Sequence, residues 1–503
     1  SINNNRIHNV IKDARGDLWV LTFAGDQLCR YNYEKDNFDR ISIKKISPSF
    51  VQLLGRNQHK NAINYSYKGF NWSLDNVRNQ LVRLNKVTGE KKYYQYNSAN
   101  PWSLNSSNTS DIYLDNHLIF WVGSSGYGVN KANLKAKPFE YYYHDPLTSQ
   151  SLIDNNVTAV CEDHSKRIWV GTRDNGITVV DKNNYRHFVQ GPNSIVNNQI
   201  RTIFCDSRGI VWIGTKKGLD SFNPAYGTFR HFTQDGLENT NVCSVTEDSE
   251  KNIWIGSWKG VYRYNPSKDE LLHLDPQKTL KHPWVRTIIQ DRRQQLWVGT
   301  EGGGITVLQF KDGSYVPVKH LQHKENAKTI SDSRVYSIYE DREGQIWIGT
   351  GSGLNLYNPN SSIITHLPLG SELADAAIAG IVEDQQGLMW ISHKKGIARL
   401  DKKDFEVRNY TDQDGLQSNE FADGAVFKSR LTNKLYFGCT NGLNAFNPDL
   451  IQTDSTLSKT VLTGLKILNT KVDINDTING RVVITRPLYL TKEIVLTNED
   501  KSF

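Results

Sequence analysis

Apolar and polar residues alternate along most of this chain in short runs, and clusters of Asp, Glu, Asn and Gly punctuate them. The run Val335-Tyr336-Ser337-Ile338-Tyr339 has the period of two that belongs to a half-buried strand. An Asp-Arg-Glu-Gly turn follows, and Ile346-Trp347-Ile348 predicts the strand that returns beside it. GTGSG turns the chain again into Leu354-Asn355-Leu356-Tyr357, and Ile363-Ile364-Thr365-His366-Leu367 predicts a fourth, weaker strand. No stretch shows a sustained helical period, so the pattern predicts an all-β chain built from small antiparallel sheets.

The same unit recurs. VTAVCEDHSKRIWVGTRDNGITVVD (157–181), IRTIFCDSRGIVWIGTKKGLDSFN (200–223) and VCSVTEDSEKNIWIGSWKGVYRYN (242–265) align with VRTIIQDRRQQLWVGTEGGGITVL (285–308) and with 335–358. IAGIVEDQQGLMWISHKKGIARLD (378–401) and GAVFKSRLTNKLYFGCTNGLNAFN (424–447) extend the series. The anchor aromatics Trp169, Trp212, Trp254, Trp297, Trp347, Trp390 and Tyr436 are 43, 42, 43, 50, 43 and 46 residues apart. Seven four-stranded units of this length predict a seven-bladed β-propeller, with the large indole of each unit filling the wedge between adjacent sheets. Three more degenerate units precede the series, around Trp19, Trp72 and Trp121. After Pro448 the repeat stops, and VLTGLKIL and EIVLTN predict the opening strands of a β-sandwich. The expected organisation is a partial N-terminal propeller of about three blades over 1–150, a complete propeller over 151–454, and the start of an Ig-like sandwich over 455–503. A ring cannot close on three blades, so the chain reads as a segment of a longer protein.

The glycine-rich GTGSGL (349–354) invites comparison with a phosphate-binding loop. Such a loop needs a helix after its glycines, and here another strand follows. GT…GL also recurs from unit to unit, so its glycines are turn punctuation.

Composition narrows the picture further. The chain of 503 residues is 38% hydrophobic and 22% charged, with 12 Trp, 23 Tyr and 18 Phe, which fits a globular β protein. A net charge of +7 is mild over this length and does not call for nucleic acid. Five scattered cysteines have no CxxC or Cys/His spacing, which argues against zinc, and Cys161 and Cys205 read as equivalent buried positions. Neither a cofactor nor a metal is expected. No apolar run reaches the roughly 18 residues of a membrane span, so any membrane attachment is expected through flanking segments. The Glu-Asp pairs at Glu162-Asp163, Glu247-Asp248, Glu340-Asp341 and Glu383-Asp384 could suggest glycosidase carboxylates. Their recurrence at one repeat position favours a turn-capping role instead.

The recurring unit V..I.eD..G.iWiGT..GL..yn resembles the two-component-regulator propeller repeat. DGLQSNEFADGAVFKSRLTNKLYFGCTNGLNAFNPDLI (414–451) with TVLTGLKILN (460–469) is similar to the end of the sensor region of bacterial hybrid two-component systems. That resemblance implies two seven-bladed propellers and an Ig-like domain ahead of a membrane helix and a histidine kinase. It also implies a periplasmic location, dimerisation through the full-length sensor, and detection of oligosaccharides at or near the propeller interface. It transfers no binding motif residue by residue.

Candidate ligand residues therefore come from geometry. If strand A of a blade runs down and strand B returns, the B–C turn and the residues opening strand A share one face. Those positions hold Arg173, Arg201, Lys216, Lys217, Trp258, Lys259, Trp284, Arg286, Arg334, His393, Lys394 and Lys395. Cations beside indole platforms suit an acidic or sulfated sugar, since guanidinium grips carboxylate or sulfate and an indole face covers pyranose C–H groups. The expected function is a non-catalytic, oligosaccharide-sensing segment. A propeller lyase or glycosidase, which would need converging carboxylates or a metal site, and a protein-only scaffold are the alternatives.

Overall fold

The computed structural model describes residues 7–12, 18–22, 28–32 and 37–41 as strands, with side chains there only at Cys29, Arg30 and Asp39. It further describes 65–75, 80–98, 103–114, 118–124, 127–134, 139–325, 329–367, 373–451 and most of 462–497. Seven antiparallel four-stranded sheets follow one another from residue 140 to residue 446. In blade 1 the strands, A to D, are Val157–Glu162, Ile168–Thr172, Ile177–Asp181 and Asn184–Phe188, hydrogen-bonded in chain order. Blades 2 to 6 repeat that order. Blade 7 differs: its strands A to C are Phe421–Lys428, Leu435–Cys439 and Gly442–Phe446, and its outer strand is Glu140–Tyr142. Tyr141 stands opposite Asn444. A strand from before blade 1 thus completes blade 7 and removes the open edge that the ring would otherwise carry. It lies on the N-terminal side of the boundary expected at residue 150.

The repeat's residues explain the blade. In blade 1, Asp163 Oδ1 accepts from the backbone N–H groups of Ser165 and Arg167, which fixes the A–B turn. Its other oxygen accepts from the indole of Trp169 at 2.8 Å. The same indole–carboxylate bond joins Trp212 to Asp206, Trp254 to Asp248, Trp297 to Asp291, Trp347 to Asp341 and Trp390 to Asp384, at 2.8–3.0 Å. Each indole lies against the next blade: Trp169 meets Phe222 at 5.2 Å between ring centroids, and Trp390 meets Phe446 at 4.8 Å. The residue before the aspartate reaches the other way. Glu247, Gln290, Glu340 and Glu383 accept from backbone N–H groups in the A–B turn of the preceding blade. The recurrent Glu-Asp pairs are therefore consumed by turn and inter-blade bonds.

Cys161 and Cys205, expected at equivalent positions, are one residue out of step. Cys161 pairs with Trp169, whereas Cys205 pairs with Val211 and takes the position that Glu247 holds in blade 3. In GTGSGL the two outer glycines serve different ends. A Cβ at Gly349 would lie 2.6 Å from Ile378 of the next blade, and Gly353 turns at φ +112°.

Ahead of the ring, the described residues form three sheets of four, four and three strands, at 7–41, 65–94 and 109–133. The second and third share a core of Leu81, Ile112, Phe120 and Val122, with Trp72 against it. Beyond residue 451, two two-stranded hairpins at 466–471 and 477–482 surround Ile467, Val472 and Ile484. Glu493–Thr497, expected as a strand, pairs with no strand among the described residues.

Trp254→Phe leaves Asp248 Oδ2 buried with one donor fewer and opens space between blades 3 and 4. We expect a loss of about 2–4 kcal/mol, read as a lower denaturant midpoint for the ring. A second prediction concerns pH. Asp220 is fully buried and accepts from Val196 N–H and pairs with His231, while Asn355 and Asn444 do the same backbone capping in blades 5 and 7. Burial raises the Asp220 carboxyl despite its bonds to His231 and Val196. The native state then holds this proton more tightly than the unfolded chain, and stability falls as pH rises through the carboxylate range. D220N should gain Tm relative to the wild type as pH goes from about 4.5 to 8; a pH-independent difference would contradict this.

Candidate functional site

One backbone irregularity builds the mouth of the central channel. In blades 1 to 6 the A–B register skips one residue at the second position of strand A. The skipped residues are Thr158, Arg201, Cys243, Arg286, Tyr336 and Ala379. A bulge frees its side chain from the sheet's in–out alternation and re-aims it. Five of the six line one cavity of about 450 Å³. In blade 7 the irregularity widens: Phe421 pairs with Cys439 and the next pair is Val426 with Phe437. Residues 422–424 thereby enter the cavity wall.

A second recurrent bond brings the B–C turns to the same face. The backbone N–H groups of Arg173, Lys216, Trp258, Glu301, Gly351 and Thr440 donate to the carbonyls of Asn156, Gln199, Asn241, Trp284, Arg334 and Glu420. The residue opening the B–C turn is thus tied to the one preceding strand A, as the sequence-based geometry expects.

Of the twelve candidate residues, Arg173, Arg201, Trp258, Arg286 and Lys394 line the cavity. Trp284 joins them indirectly, stacked on Trp258 at 4.7 Å between centroids and 13° between planes. The two indoles remain 38% and 43% exposed, so this pair offers an open aromatic face at the rim. Lys216, Lys217 and Lys395 are exposed on turns outside the cavity lining. Lys259 Nζ donates to Gly236 O at 2.9 Å, and Arg334 is held on Asp332 at 2.6 Å. His393 is corrected outright: it is fully buried, with Nε2 2.9 Å from Asn409 Oδ1, because strand B has not yet ended there.

Sequence reasoning passed over Asn156, Thr158, Asn241, Cys243, Tyr336, Glu420 and Asp423, which also line the cavity. The available signal was the second position of strand A. It varies among Thr, Arg, Cys, Tyr and Ala while its preceding neighbour stays Val or Ile.

The cavity's charges are mixed. Arg286 Nε donates to Glu301 Oε2 at 2.5 Å, and Asp423 lies 3.7 Å from Arg286 Nη1 and 4.0 Å from Lys394 Nζ. Burial pushes the Cys243 thiol up, against the nearby charges of Arg286 and Arg201 and a hydrogen bond from Trp258. It therefore faces the channel as a neutral thiol. Among the described residues there is no cluster of His, Cys, Asp and Glu able to hold a metal ion. A separate cavity of about 580 Å³ lies between the N-terminal sheets and the ring, with Trp72, Tyr94, Tyr141 and Tyr143 in its wall.

The fold and the repeat together define a seven-bladed β-propeller. Residues 151–174, 194–217, 236–259, 279–302 and 329–352 match the two-component-regulator propeller family. The extracellular domain of the hybrid two-component system BT3049 from B. thetaiotaomicron superposes with TM-score 0.68 at 23% identity. That match covers 99% of this chain and 62% of the other. BT4673 of the same organism gives TM-score 0.54 at 18% identity, covering 94% and 68%. Histidine kinase P4 of Formosa agariphila is 26% identical over 178 residues, which is 33% of this chain and 13% of that protein. The chain thus spans a small part of the kinase it matches and less than two thirds of the BT3049 domain. Among the described residues no helix is long and apolar enough to cross a membrane.

Proposed function

We propose that this chain is the ligand-sensing, extracytoplasmic part of a hybrid two-component signalling protein, located in the periplasm, and that it binds an oligosaccharide carrying an acidic group. The full-length protein would carry the histidine kinase and dimerise. The observation that carries the binding reading is the convergence of re-aimed strand A residues on one cavity, beside the stacked Trp258–Trp284 pair. An indole face buries the apolar C–H surface of a pyranose, and the surrounding Asn, Thr, Arg and Lys groups supply hydrogen bonds to its hydroxyls and acid. A volume of about 450 Å³ suits one to a few sugar rings.

Binding alone does not signal. The sugar must favour one arrangement of blades or protomers over another, and the segment after residue 451 would pass that preference toward the membrane. The carboxylates near the cavity fit binding better than hydrolysis. Glu301 and Asp423 both sit against cations, and the Glu-Asp pairs are engaged in turns and inter-blade bonds.

Calorimetry against neutral and acidic oligosaccharides tests the proposal. We expect an acidic sugar to bind without turnover, and Trp258→Ala to weaken it by about tenfold or more, the loss of a stacking face. Undiminished affinity in that variant would reject the site, and hydrolysis or elimination of a bound glycan would reject the non-catalytic reading.

A further inference from the structure

The mouth of the channel is not a uniform ring of cations. In the half built by blades 4 to 7, each positive charge in the cavity wall has an acidic neighbour. Arg286 has Glu301 and Asp423, and Lys394 has Asp423. In the half built by blades 1 to 3, Arg173 and Arg201 make no ion pair among the described residues. Two of the buried polar atoms left unsatisfied in this half belong to residues of the cavity wall. One is Arg201 Nε, a donor; the other is Oδ1 of Asn241, an acceptor on a side chain only 5% exposed. Both residues line the cavity. A buried polar atom without a partner costs about 1–3 kcal/mol, so a donor and an acceptor left open in the wall of one cavity mark a place for a guest.

We infer that the ligand's acidic group, carboxylate or sulfate, is read by Arg201 and Arg173, and that Asn241 accepts a hydroxyl next to it. Arg286 and Lys394 are positioning groups already neutralised from within, and they take no second anion. The assignment rests on the mouth being the binding site and gives that site an orientation. The charged end of the ligand lies over blades 1 and 2, its ring over Trp258, and its neutral end toward Glu420 and Asp423. Those two carboxylates can accept from sugar hydroxyls, and they repel a second acid. The preferred ligand is therefore an oligosaccharide with one acidic group, at one end.

Arg201 stands outside the A–B ladder, so its replacement spares the sheet's hydrogen bonds. Inorganic sulfate is a suitable probe, because an unpaired guanidinium site takes it irrespective of the sugar attached. Thermal unfolding of the whole chain in sodium sulfate, compared with sodium chloride at equal ionic strength, reads the site. The general salting-out effect of sulfate is common to every variant and cancels in the comparison. The wild type and Arg286→Gln should show a sulfate-specific rise in Tm, and Arg201→Gln should lose it. Loss in Arg286→Gln with retention in Arg201→Gln would overturn the assignment, as would an increment equal in all three. The sugar-binding reading is judged apart, by the effect of Trp258→Ala on oligosaccharide affinity. A chain that loses its sugar in that variant, yet answers sulfate without regard to Arg201, keeps the site and refutes the orientation.

Discussion

A buried hydrogen bond between a tryptophan indole and an aspartate organises the seven-bladed ring, recurring in blades 1 to 6. In each case one carboxylate oxygen closes the A–B turn through two backbone N–H groups while the other receives the indole, as with Asp341 and Trp347. The bond orients the largest side chain of the blade, and that side chain spans the gap to the next sheet. Turn, blade and ring are thereby set by one residue pair. A carboxyl group with three donors is well satisfied even in an apolar setting. Blade 7 lacks the pair: Ser429 and Tyr436 stand there, Glu162 of blade 1 accepts from Ser429 Oγ, and the sheet is completed by Glu140–Tyr142. The least regular blade is thus the one secured by chain from elsewhere.

Rigidity at the outer end of strand A permits irregularity at its start. Because the ladder below is fixed, each blade can carry a bulge at the second position and turn one side chain toward the axis. The ring then behaves as a frame that presents one variable residue per blade, together with its B–C turn. Binding chemistry can change at those positions without disturbing the repeat. In this chain they supply two unpaired arginines, a neutral thiol, a tyrosine and, through the wider bulge of blade 7, the carboxylate of Asp423.

The fold was largely legible because its determinants are local and repeated. Strand periodicity, the Trp anchors and the GT…GL turns each recur, and seven sheets follow from them. The shared face of B–C turns and strand A starts was legible too, since strand direction alone dictates it. The origin of blade 7's outer strand was not, for Glu140–Tyr142 pairs with residues about 300 positions away and carries no repeat signature. Lining residues such as Cys243 and Tyr336 were missed because a one-residue bulge is invisible to a period-two reading, which sends position two of strand A into the sheet; Asn241, just before its strand A, is on the expected face but is neither a cation nor an indole. His393 was misplaced for a related reason. It replaces the Thr of GT, a residue still inside strand B, as the burial of both Thr350 and His393 shows.

The account stands or falls on where the sugar sits. A crystal structure of the chain with an acidic oligosaccharide selected by calorimetry addresses this directly. The account predicts the sugar in the mouth of the seven-bladed ring, its ring over Trp258 and its acid against Arg201. A sugar seated between the N-terminal sheets and the ring, against Trp72, Tyr94 and Tyr141, with the channel mouth empty, would contradict it.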